Sequence, residues 1–294
     1  MLPVRKSLKD QLHLVRRLMF SNISTTVSMA QDHLERTSKN SRLEVISEAT
    51  VTAMKDLSLT VKSLTLTVKD RRLQFSAGQW VDMFTPGVET VGGFSMYSSP
   101  CRLATSQQLD LAVKFSKHPP AYWVHTQCKV GSQVQIRVGG DFFYDPGADN
   151  SGHDLLLIAG GVGINPLFSI LSHFADICKG GDARFEGIRA SRVVLLYSAR
   201  NAQELIFRNQ VEAIANTFDN IQCRFHVTQE NNSTSGTLKG HRISTQDVSD
   251  CFNWLRKEKT LAYLCGPSKM LSDMAETLQQ LGLARSDIHF EKWW

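Results

Sequence analysis

The fold is determined by one stretch of the sequence, Asp154-Leu-Leu-Leu-Ile-Ala159-Gly160-Gly161-Val162-Gly163-Ile164-Asn165-Pro166-Leu167-Phe168. It opens with an apolar run of the length of a buried parallel strand. Three glycines within four positions then break the strand. Asn165 is a good helix N-cap and Pro166 suits the first helical position, so a helix is expected to begin there. The pattern predicts a strand, a glycine turn and a helix.

Such a turn has a chemical use. A helix N-terminus leaves N–H groups unsatisfied and carries a partial positive charge, and glycines let a phosphate approach the backbone closely. The turn from Gly160 to Asn165 therefore predicts a pyrophosphate-binding site. Its spacing is not the GxGxxG fingerprint, because Pro166 stands where the last glycine would be. The alternative is a tight turn that binds no ligand.

Length, charge and cysteine content narrow the classes of function. The chain has 294 residues, enough for two domains, and a net charge of +5. Residues 1–45 carry eight Lys or Arg and four acids, so the rest of the chain is nearly neutral and nucleic acid is not expected as a partner. The six cysteines form no CxxC pair, which argues against a zinc or iron–sulfur site. Reduced, buried thiols are expected rather than disulfides.

The first thirty residues have the composition of a mitochondrial transit peptide. They hold five basic residues and one acid, apolar residues at helical spacing, and a cluster of Ser and Thr. A mitochondrial location, in the matrix, is therefore expected; the alternative is an ordinary surface helix. Residues 31–45 are polar and are interpreted as a linker. No apolar run reaches the roughly 18 residues that a membrane span needs.

The remaining sequence predicts two domains. Between residues 46 and 150, short alternating runs separated by Gly, Pro and polar clusters indicate a small antiparallel β-barrel. From 151 to 294, buried strands alternate with helical segments, which indicates a doubly wound parallel sheet of the nucleotide-binding type. The predicted strands are 57–68, 80–84, 109–115 and 134–138 in the barrel, and 155–159, 193–197, 221–228, 261–265 and 288–290 in the sheet.

Four motifs occur in order along residues 50–294. They are Gly160-Gly-Val-Gly163 with Pro166, Tyr197-Ser-Ala-Arg200, Cys265-Gly-Pro267 with Met270, and Glu291 followed by aromatic residues. With these motifs the chain resembles the ferredoxin–NADP reductase superfamily of flavin-dependent pyridine-nucleotide oxidoreductases. The resemblance implies a flavin-binding barrel followed by an NAD-binding α/β domain. It also implies hydride transfer from NAD(P)H to FAD and delivery of electrons to a separate, unidentified acceptor.

On the flavin side, the resemblance implies an Arg-x-Tyr-Ser motif, matched by residues 95–98. Tyr97 would stack on the isoalloxazine or flank its ribityl chain, Ser98 would hydrogen-bond near the reactive N5, and Ser99 would also contact the cofactor. Ser95 stands where the family has an arginine that pairs with the flavin phosphate. Lys114, on the next flavin-contacting strand, is a candidate to supply that charge. The alternative is a barrel strand that ends in a turn.

On the nicotinamide side, the resemblance implies a cradle for the pyrophosphate and a border for the nicotinamide. The implied contacts are Gly160, Gly161, Val162, Gly163, Ile164, Asn165, Pro166, Ser198, Arg200, Gly266 and Pro267. The implied catalytic residues are Cys265, Glu291 and Ser98, and Trp293 corresponds to an aromatic that covers the flavin. The alternatives are a buried small hydrophobe for Cys265 and cleft packing for the terminal tryptophans.

These expectations leave two hypotheses for the function. The first is a flavoenzyme that oxidises NAD(P)H; NAD is favoured over NADP because Glu230 would repel a 2′-phosphate, although Arg200 is placed to meet one. FMN in place of FAD stays open. The second is a non-catalytic NAD(H)-binding sensor or scaffold with a decayed flavin site. Ser95 favours the second hypothesis, whereas Cys265 and Glu291 favour the first.

Overall fold

The computed structural model describes residues 33–147, 152–180, 185–229 and 236–292. The predicted transit peptide, Glu230 and Trp293 lie outside these described residues. Among the helices within them, none is long and apolar enough to cross a membrane.

The amino-terminal half is a six-stranded antiparallel sheet with the lateral order β4-β3-β6-β1-β2-β5. A bridge between Met96 and Leu111 joins the chain after β4 to β5, so the sheet closes into a barrel around an apolar core. The predicted barrel is confirmed. In chain order its elements are α1 (His33–Arg36), β1 (Ser47–Asp56), β2 (Val61–Val68), β3 (Trp80–Phe84), β4 (Gly92–Ser95), α2 (Pro100–Ser106), β5 (Gln108–Lys114), α3 (Pro119–Thr126) and β6 (Gln133–Gly139).

Two barrel strands are missing from the prediction. β4 was not predicted because it begins with two glycines, which are poor strand formers. β1 was not predicted either, and the predicted strand 57–68 is a strand only from Val61, because residues 57–60 form the turn that reverses the chain after β1.

The carboxyl-terminal half is a six-stranded parallel sheet with the order β10-β9-β8-β7-β11-β12. Alternate residues of its central strand, β7, belong to hydrophobic cores on opposite faces, so the doubly wound prediction is confirmed. Its elements are β7 (Asp154–Gly160), α4 (Ile164–Lys179), α5 (Glu186–Arg189), β8 (Val193–Ala199), α6 (Arg208–Thr217), β9 (Ile221–Val227), β10 (Leu238–Lys239), α7 (Thr245–Ser249), β11 (Thr260–Gly266), α8 (Ser268–Gln280) and β12 (Ile288–Lys292).

The helix after the glycine turn begins earlier than the sequence predicts. Residues Gly161–Gly163 form one turn of 3₁₀ helix, and α4 follows directly at Ile164. Asn165 is therefore not the N-cap, and Pro166 is the third helical residue, where its missing N–H would have no partner within the helix. The side chain of Asn165 is buried against the barrel, and its Nδ2 donates a hydrogen bond to the Ala112 carbonyl oxygen over 2.7 Å.

The interpretation of residues 31–45 as a linker is wrong from His33 onward. Residues 33–42, here called the N-terminal strap, pack on the outside of the barrel over Trp80 and Asp82. Asp82 is fully buried, and its carboxylate lies 3.1 Å from His33 Nε2, 2.9 Å from Arg42 Nε and 2.6 Å from an Arg137 amino nitrogen. The His33 ring also contacts Trp80 edge-on, with ring centroids 4.7 Å apart. His33 and Arg42 of this segment are therefore packing partners of the barrel.

The pKa of Asp82 reflects these contacts. Burial alone would raise it, but hydrogen bonds from His33 and Arg42 and the charges of Arg42 and Arg137 outweigh that effect and hold the pKa below its usual range. The carboxylate is consequently ionised at neutral pH and fastens the strap to the barrel.

Candidate functional site

The predicted site residues converge at the carboxyl edge of the parallel sheet. From β7 the chain proceeds to β8, β9 and β10 on one side, while β11 and β12 lie on the other side. The crevice between β7 and β11 is thus the topological switch point at which such sheets bind ligands. One row of Cα partners crosses this edge, running Tyr197, Ala159, Cys265 and Glu291. The structure therefore places the predicted residues Cys265 and Glu291 side by side.

Two glycines of the turn are required for different reasons. A Cβ on Gly163 would lie 2.3 Å from the Cys265 carbonyl oxygen, so only glycine lets the turn approach β11 this closely. Gly161 has a φ of +56°, and a Cβ there would meet nothing within 4 Å. Gly161 thus presents bare backbone to an open space at the start of α4, as a phosphate cradle requires.

Only part of the predicted cradle is accessible. Gly161 and Val162 are partly exposed, whereas the remaining residues of the turn are buried. Those buried residues are Gly160, Gly163, Ile164, Asn165 and Pro166. Around the edge, Ser198 is half-buried, Arg200 and Pro267 are exposed, and Gly266 is buried.

Cys265 does not present its thiol to solvent. Its side chain is fully buried in the hydrophobic core that lies between the sheet and α4. This environment agrees with the alternative interpretation of Cys265 as a small hydrophobic residue at the end of a strand. A direct role for Cys265 in hydride transfer stays a prediction.

Glu291 is contacted from the barrel by Ser95. The Ser95 hydroxyl donates a hydrogen bond to Glu291 Oε2 over 3.5 Å, and Ser95 itself is buried. This contact joins β4 of the barrel to β12 of the parallel sheet. Ser95 was expected only as the residue that replaces the family arginine. It contacts Glu291, the carboxylate that the resemblance places near the flavin.

Ser98 and Ser99 are engaged elsewhere. The Ser98 hydroxyl accepts a hydrogen bond from the Asp110 backbone N–H at 2.9 Å, which reinforces the closure of the barrel. The Ser98 carbonyl accepts from the Ser169 hydroxyl at 2.7 Å, and the Ser99 hydroxyl donates to Asp176 over 2.5 Å. The donor Ser169 and the acceptor Asp176 both belong to α4. The two serines thus connect the barrel to the helix that follows the glycine turn.

Tyr97 lies in an aromatic cluster between the two halves. Its ring is 4.5 Å from that of Phe207 and 6.3 Å from that of Phe168, and its hydroxyl is 2.9 Å from the Ser63 hydroxyl. Burial raises the pKa of Tyr97 to about 12, so the hydroxyl stays neutral at physiological pH. These contacts give Tyr97 a packing role. Its predicted stacking on a flavin stays a prediction.

Phe94-Ser95 is a second candidate for the aromatic–serine pair of the flavin motif. Residues 92–95 are Gly-Gly-Phe-Ser. Their last two residues, an aromatic and a serine, correspond to the Tyr-Ser of the Arg-x-Tyr-Ser motif, three residues before the match at residues 95–98. Phe94 is half-buried on β4, next to the serine that reaches Glu291. In this register Gly92 stands at the arginine position.

Comparisons with known proteins identify the family. Residues 157–276 match the family model described as the oxidoreductase NAD-binding domain. The protein of Xenopus laevis named oxidoreductase NAD-binding domain-containing protein 1 is 45% identical over 272 residues, covering 91% of this chain and 85% of the relative. Its human namesake is 40% identical over 293 residues, covering 98% and 92%. The chain belongs to the family of these proteins.

More distant relatives extend the comparison. The reductase component DmpP of phenol 2-monooxygenase from a Pseudomonas strain is 31% identical over 83% of this chain and 64% of its own length. A ferredoxin–NADP⁺ reductase from Neisseria gonorrhoeae shares the fold at a TM-score of 0.68 and 18% identity, covering 85% of this chain and 99% of the neighbour. The fold that the resemblance to the ferredoxin–NADP reductase superfamily implies is confirmed. The chain is a two-domain protein that contains an oxidoreductase NAD-binding domain.

Proposed function

We propose that the protein is a flavin-dependent reductase that takes hydride from NADH and passes electrons to a separate acceptor. The observation that carries this proposal is the Ser95–Glu291 hydrogen bond, which joins the barrel to the carboxyl edge of the NAD-binding sheet. Each half thus contributes one polar side chain to the same point. A protein that only binds a dinucleotide has no need for that contact.

The residues present fit the pyrophosphate of a nicotinamide dinucleotide. Gly161 offers an accessible backbone at the N-terminus of a 16-residue helix, and the open space beside it leaves room for a phosphate. Arg200, exposed after the adjacent strand β8, would add positive charge at the same edge. We retain NAD as the favoured dinucleotide, on the charge of Glu230.

Ser95 and Glu291 are the polar groups that would meet a flavin at the end of β4. A bound flavin would accept a hydride and release electrons one at a time, chemistry that protein side chains lack. We assign the roles implied for Tyr97 and Ser98 to Phe94 and Ser95 instead. The single hydroxyl proton of Ser95 is donated to Glu291, so towards the flavin edge the Ser95 oxygen would act as an acceptor, in an orientation that Glu291 fixes.

The protein would catalyse by orienting the two rings in a place from which water is excluded. Ser95 is buried, and Cys265 and its neighbours behind the site are fully buried, so water has little access from the sheet side. Three hydrogen bonds from α4 to the barrel, made by Asn165, Ser169 and Asp176, would hold the pyrophosphate turn at a fixed distance from β4. The chain would thereby hold the nicotinamide and the flavin at a fixed distance and orientation.

A second candidate function is favoured by one observation. In the register set by Ser95, Gly92 stands at the arginine position, and an Arg–phosphate contact is bidentate and hard to replace. Two arginines of the barrel half are paired with acids, Arg102 with Asp110 and Arg137 with Asp82. A non-catalytic NAD(H) sensor or scaffold with a decayed flavin site is the function consistent with that loss.

The proposal includes the cellular location of the protein and the nature of its electron acceptor. The composition of residues 1–30 supports import into mitochondria, with the matrix as the destination. A separate acceptor is supported by the name of the DmpP relative, which describes a reductase component of a larger system.

Steady-state kinetics distinguish the two functions. The protein, incubated with FAD, is assayed for NADH-dependent reduction of ferricyanide, in parallel with NADH binding by fluorescence. Reduction that is abolished in Glu291→Gln while NADH still binds supports the reductase. NADH binding without any ferricyanide reduction in the wild type would favour the sensor.

A further inference from the structure

A cluster of metal-ligand side chains lies away from the crevice, beside the edge strand β10. His226 is near the carboxyl end of β9, His241 follows β10, and Asp247 is in α7. One nitrogen of each histidine and one carboxylate oxygen of Asp247 lie within 4.8 Å of one another. His226 and Asp247 are buried, whereas His241 is exposed. No role in nucleotide or flavin binding has been assigned to these residues.

The hydrogen bonds of His226 define its tautomer. Its Nδ1 lies 3.2 Å from the His241 backbone carbonyl, which only an N–H can donate to, so Nδ1 carries the proton. Nε2 then holds a lone pair, and it is buried with no hydrogen-bond partner among the described residues. A buried polar atom without a partner is costly. An imidazole that donates one N–H to a backbone carbonyl and keeps the other nitrogen free is the usual arrangement of a histidine that binds a metal.

We propose that His226, His241 and Asp247 form a binding site for a divalent transition metal, with Zn²⁺ as the best match. Two imidazoles and one carboxylate are a common zinc ligand set, and a water would complete the tetrahedron. Zinc bonds of about 2.0–2.1 Å place tetrahedral ligands about 3.3 Å apart. His241 Nδ1 lies 3.6 Å from Asp247 Oδ2, but it is also 2.7 Å from the Arg242 carbonyl and by the same rule carries the proton. Rotation of the exposed His241 ring would be needed to present Nε2, the nitrogen with the lone pair, to the metal.

A lysine competes with the metal for the carboxylate. Lys239 Nζ lies 2.5 Å from Asp247 Oδ1, and Ser244 donates to Asp247 Oδ2 through its backbone N–H at 2.9 Å and its hydroxyl at 2.7 Å. Oδ2 thus keeps two hydrogen bonds from Ser244, and zinc would bind Oδ1 in exchange for the ammonium group, which is partly exposed and can turn into solvent. This competition predicts that removal of the lysine charge strengthens metal binding.

The position of the cluster indicates what the metal would do. The ligands come from β9, from the segment after β10 and from α7. β10 is only two residues long and pairs with β9 at Phe225 and His226. A metal held by all three elements would fasten the edge of the sheet and stabilise the folded chain.

The test is a zinc titration of the full chain against a chromophoric chelator, with thermal unfolding in parallel. We expect His241→Gln to bind zinc at least about tenfold more weakly than the wild type, because a ligand is lost from an exposed position where folding is unaffected. Lys239→Met is expected to bind it more tightly. His118→Gln, which removes an exposed histidine of the barrel half, serves as the control and is expected to match the wild type.

Thermal unfolding gives the second measurement. Zinc is expected to raise the Tm of the wild type and of Lys239→Met, and to leave that of His241→Gln unchanged. Equal zinc affinity of the wild type and His241→Gln would overturn the proposal, as would a Lys239→Met protein that binds zinc no more tightly. In either case the cluster is a polar network that only joins α7 to the sheet.

Discussion

The hydroxyl of Ser95 donates a hydrogen bond to Glu291 Oε2 across 3.5 Å, between residues separated by 196 positions in the sequence. Ser95 ends β4 of the barrel, and Glu291 lies in β12, paired with Cys265 at the carboxyl edge of the parallel sheet. The contact therefore joins the predicted flavin side and the predicted nicotinamide side. It also identifies the serine that the proposed function depends on.

Substitution of Ser95 should impair catalysis without unfolding the protein. Ser95→Ala removes the hydroxyl that contacts Glu291 and that we place at the flavin edge, so NADH-dependent acceptor reduction should fall about tenfold, which corresponds to about 1.4 kcal/mol in the barrier. The matched variant is Ser98→Ala, which leaves the Asp110 N–H without its acceptor and should lower stability by about 1–3 kcal/mol. Activity assays and chemical denaturation of the two proteins check this. A larger loss of specific activity in folded Ser98→Ala than in Ser95→Ala would restore the original assignment of the motif.

The two glycines of the turn should respond differently to alanine. Gly161→Ala places a methyl group in the open space and forces a left-handed residue, which costs about 1–2 kcal/mol of stability; we expect a folded protein with weakened NADH binding. Gly163→Ala would bring a Cβ to 2.3 Å from the Cys265 carbonyl oxygen and should prevent correct packing of β11. Fluorescence titration with NADH and circular dichroism separate these outcomes. Unchanged NADH affinity in Gly161→Ala would remove the turn from the binding site.

The N-terminal strap should be needed for stability. A protein that begins at Val45 lacks His33 and Arg42 and leaves the buried Asp82 with Arg137 as its remaining charged partner. Breaking a buried ion pair costs about 3–5 kcal/mol, so this protein should unfold at much lower denaturant concentration than one that begins at His33. Urea denaturation of both proteins is the measurement. Equal midpoints would show that the strap contributes nothing.

The strap also predicts an acid-dependent loss of stability. The pKa of Asp82 is lowered in the folded protein, so between this pKa and the unfolded value of about 3.9 the unfolded chain binds more protons. The contribution of Asp82 is therefore complete above about pH 5 and declines as the pH falls through the folded pKa. The stability difference between the wild type and Asp82→Asn should be largest at neutral pH and shrink in acid. A difference that is independent of pH would contradict the ionised state assigned to Asp82.

The sequence predicts the architecture well, because buried parallel strands and the glycine turn are written in local patterns. The start of α4 was misplaced by two residues, since local capping rules favoured Asn165 as the N-cap, whereas its side chain donates to the Ala112 carbonyl across the domain interface. The strap was missed for a similar reason. His33 and Arg42 look like solvated charges, and only the fold shows that they meet a buried carboxylate.

The site was predicted in part. Cys265 and Glu291 are neighbours, as the motifs imply, because both lie at the carboxyl ends of adjacent parallel strands. The flavin motif is ambiguous in the sequence, since Phe94-Ser95 and Tyr97-Ser98 both offer an aromatic residue followed by serine. Our preference for Phe94-Ser95 depends on the contact of Ser95 with a strand almost two hundred residues away, and no local pattern contains that information.

The proposed reductase function is tested most directly by the visible absorption spectrum of the protein that begins at His33, after incubation with FAD and removal of the excess FAD. We expect a flavin band that bleaches when NADH is added without oxygen, and that bleaches more slowly in Ser95→Ala. The absence of a bound flavin band, after incubation with FAD or with FMN, in a protein that folds and binds NADH would contradict the reductase and leave the NAD(H) sensor.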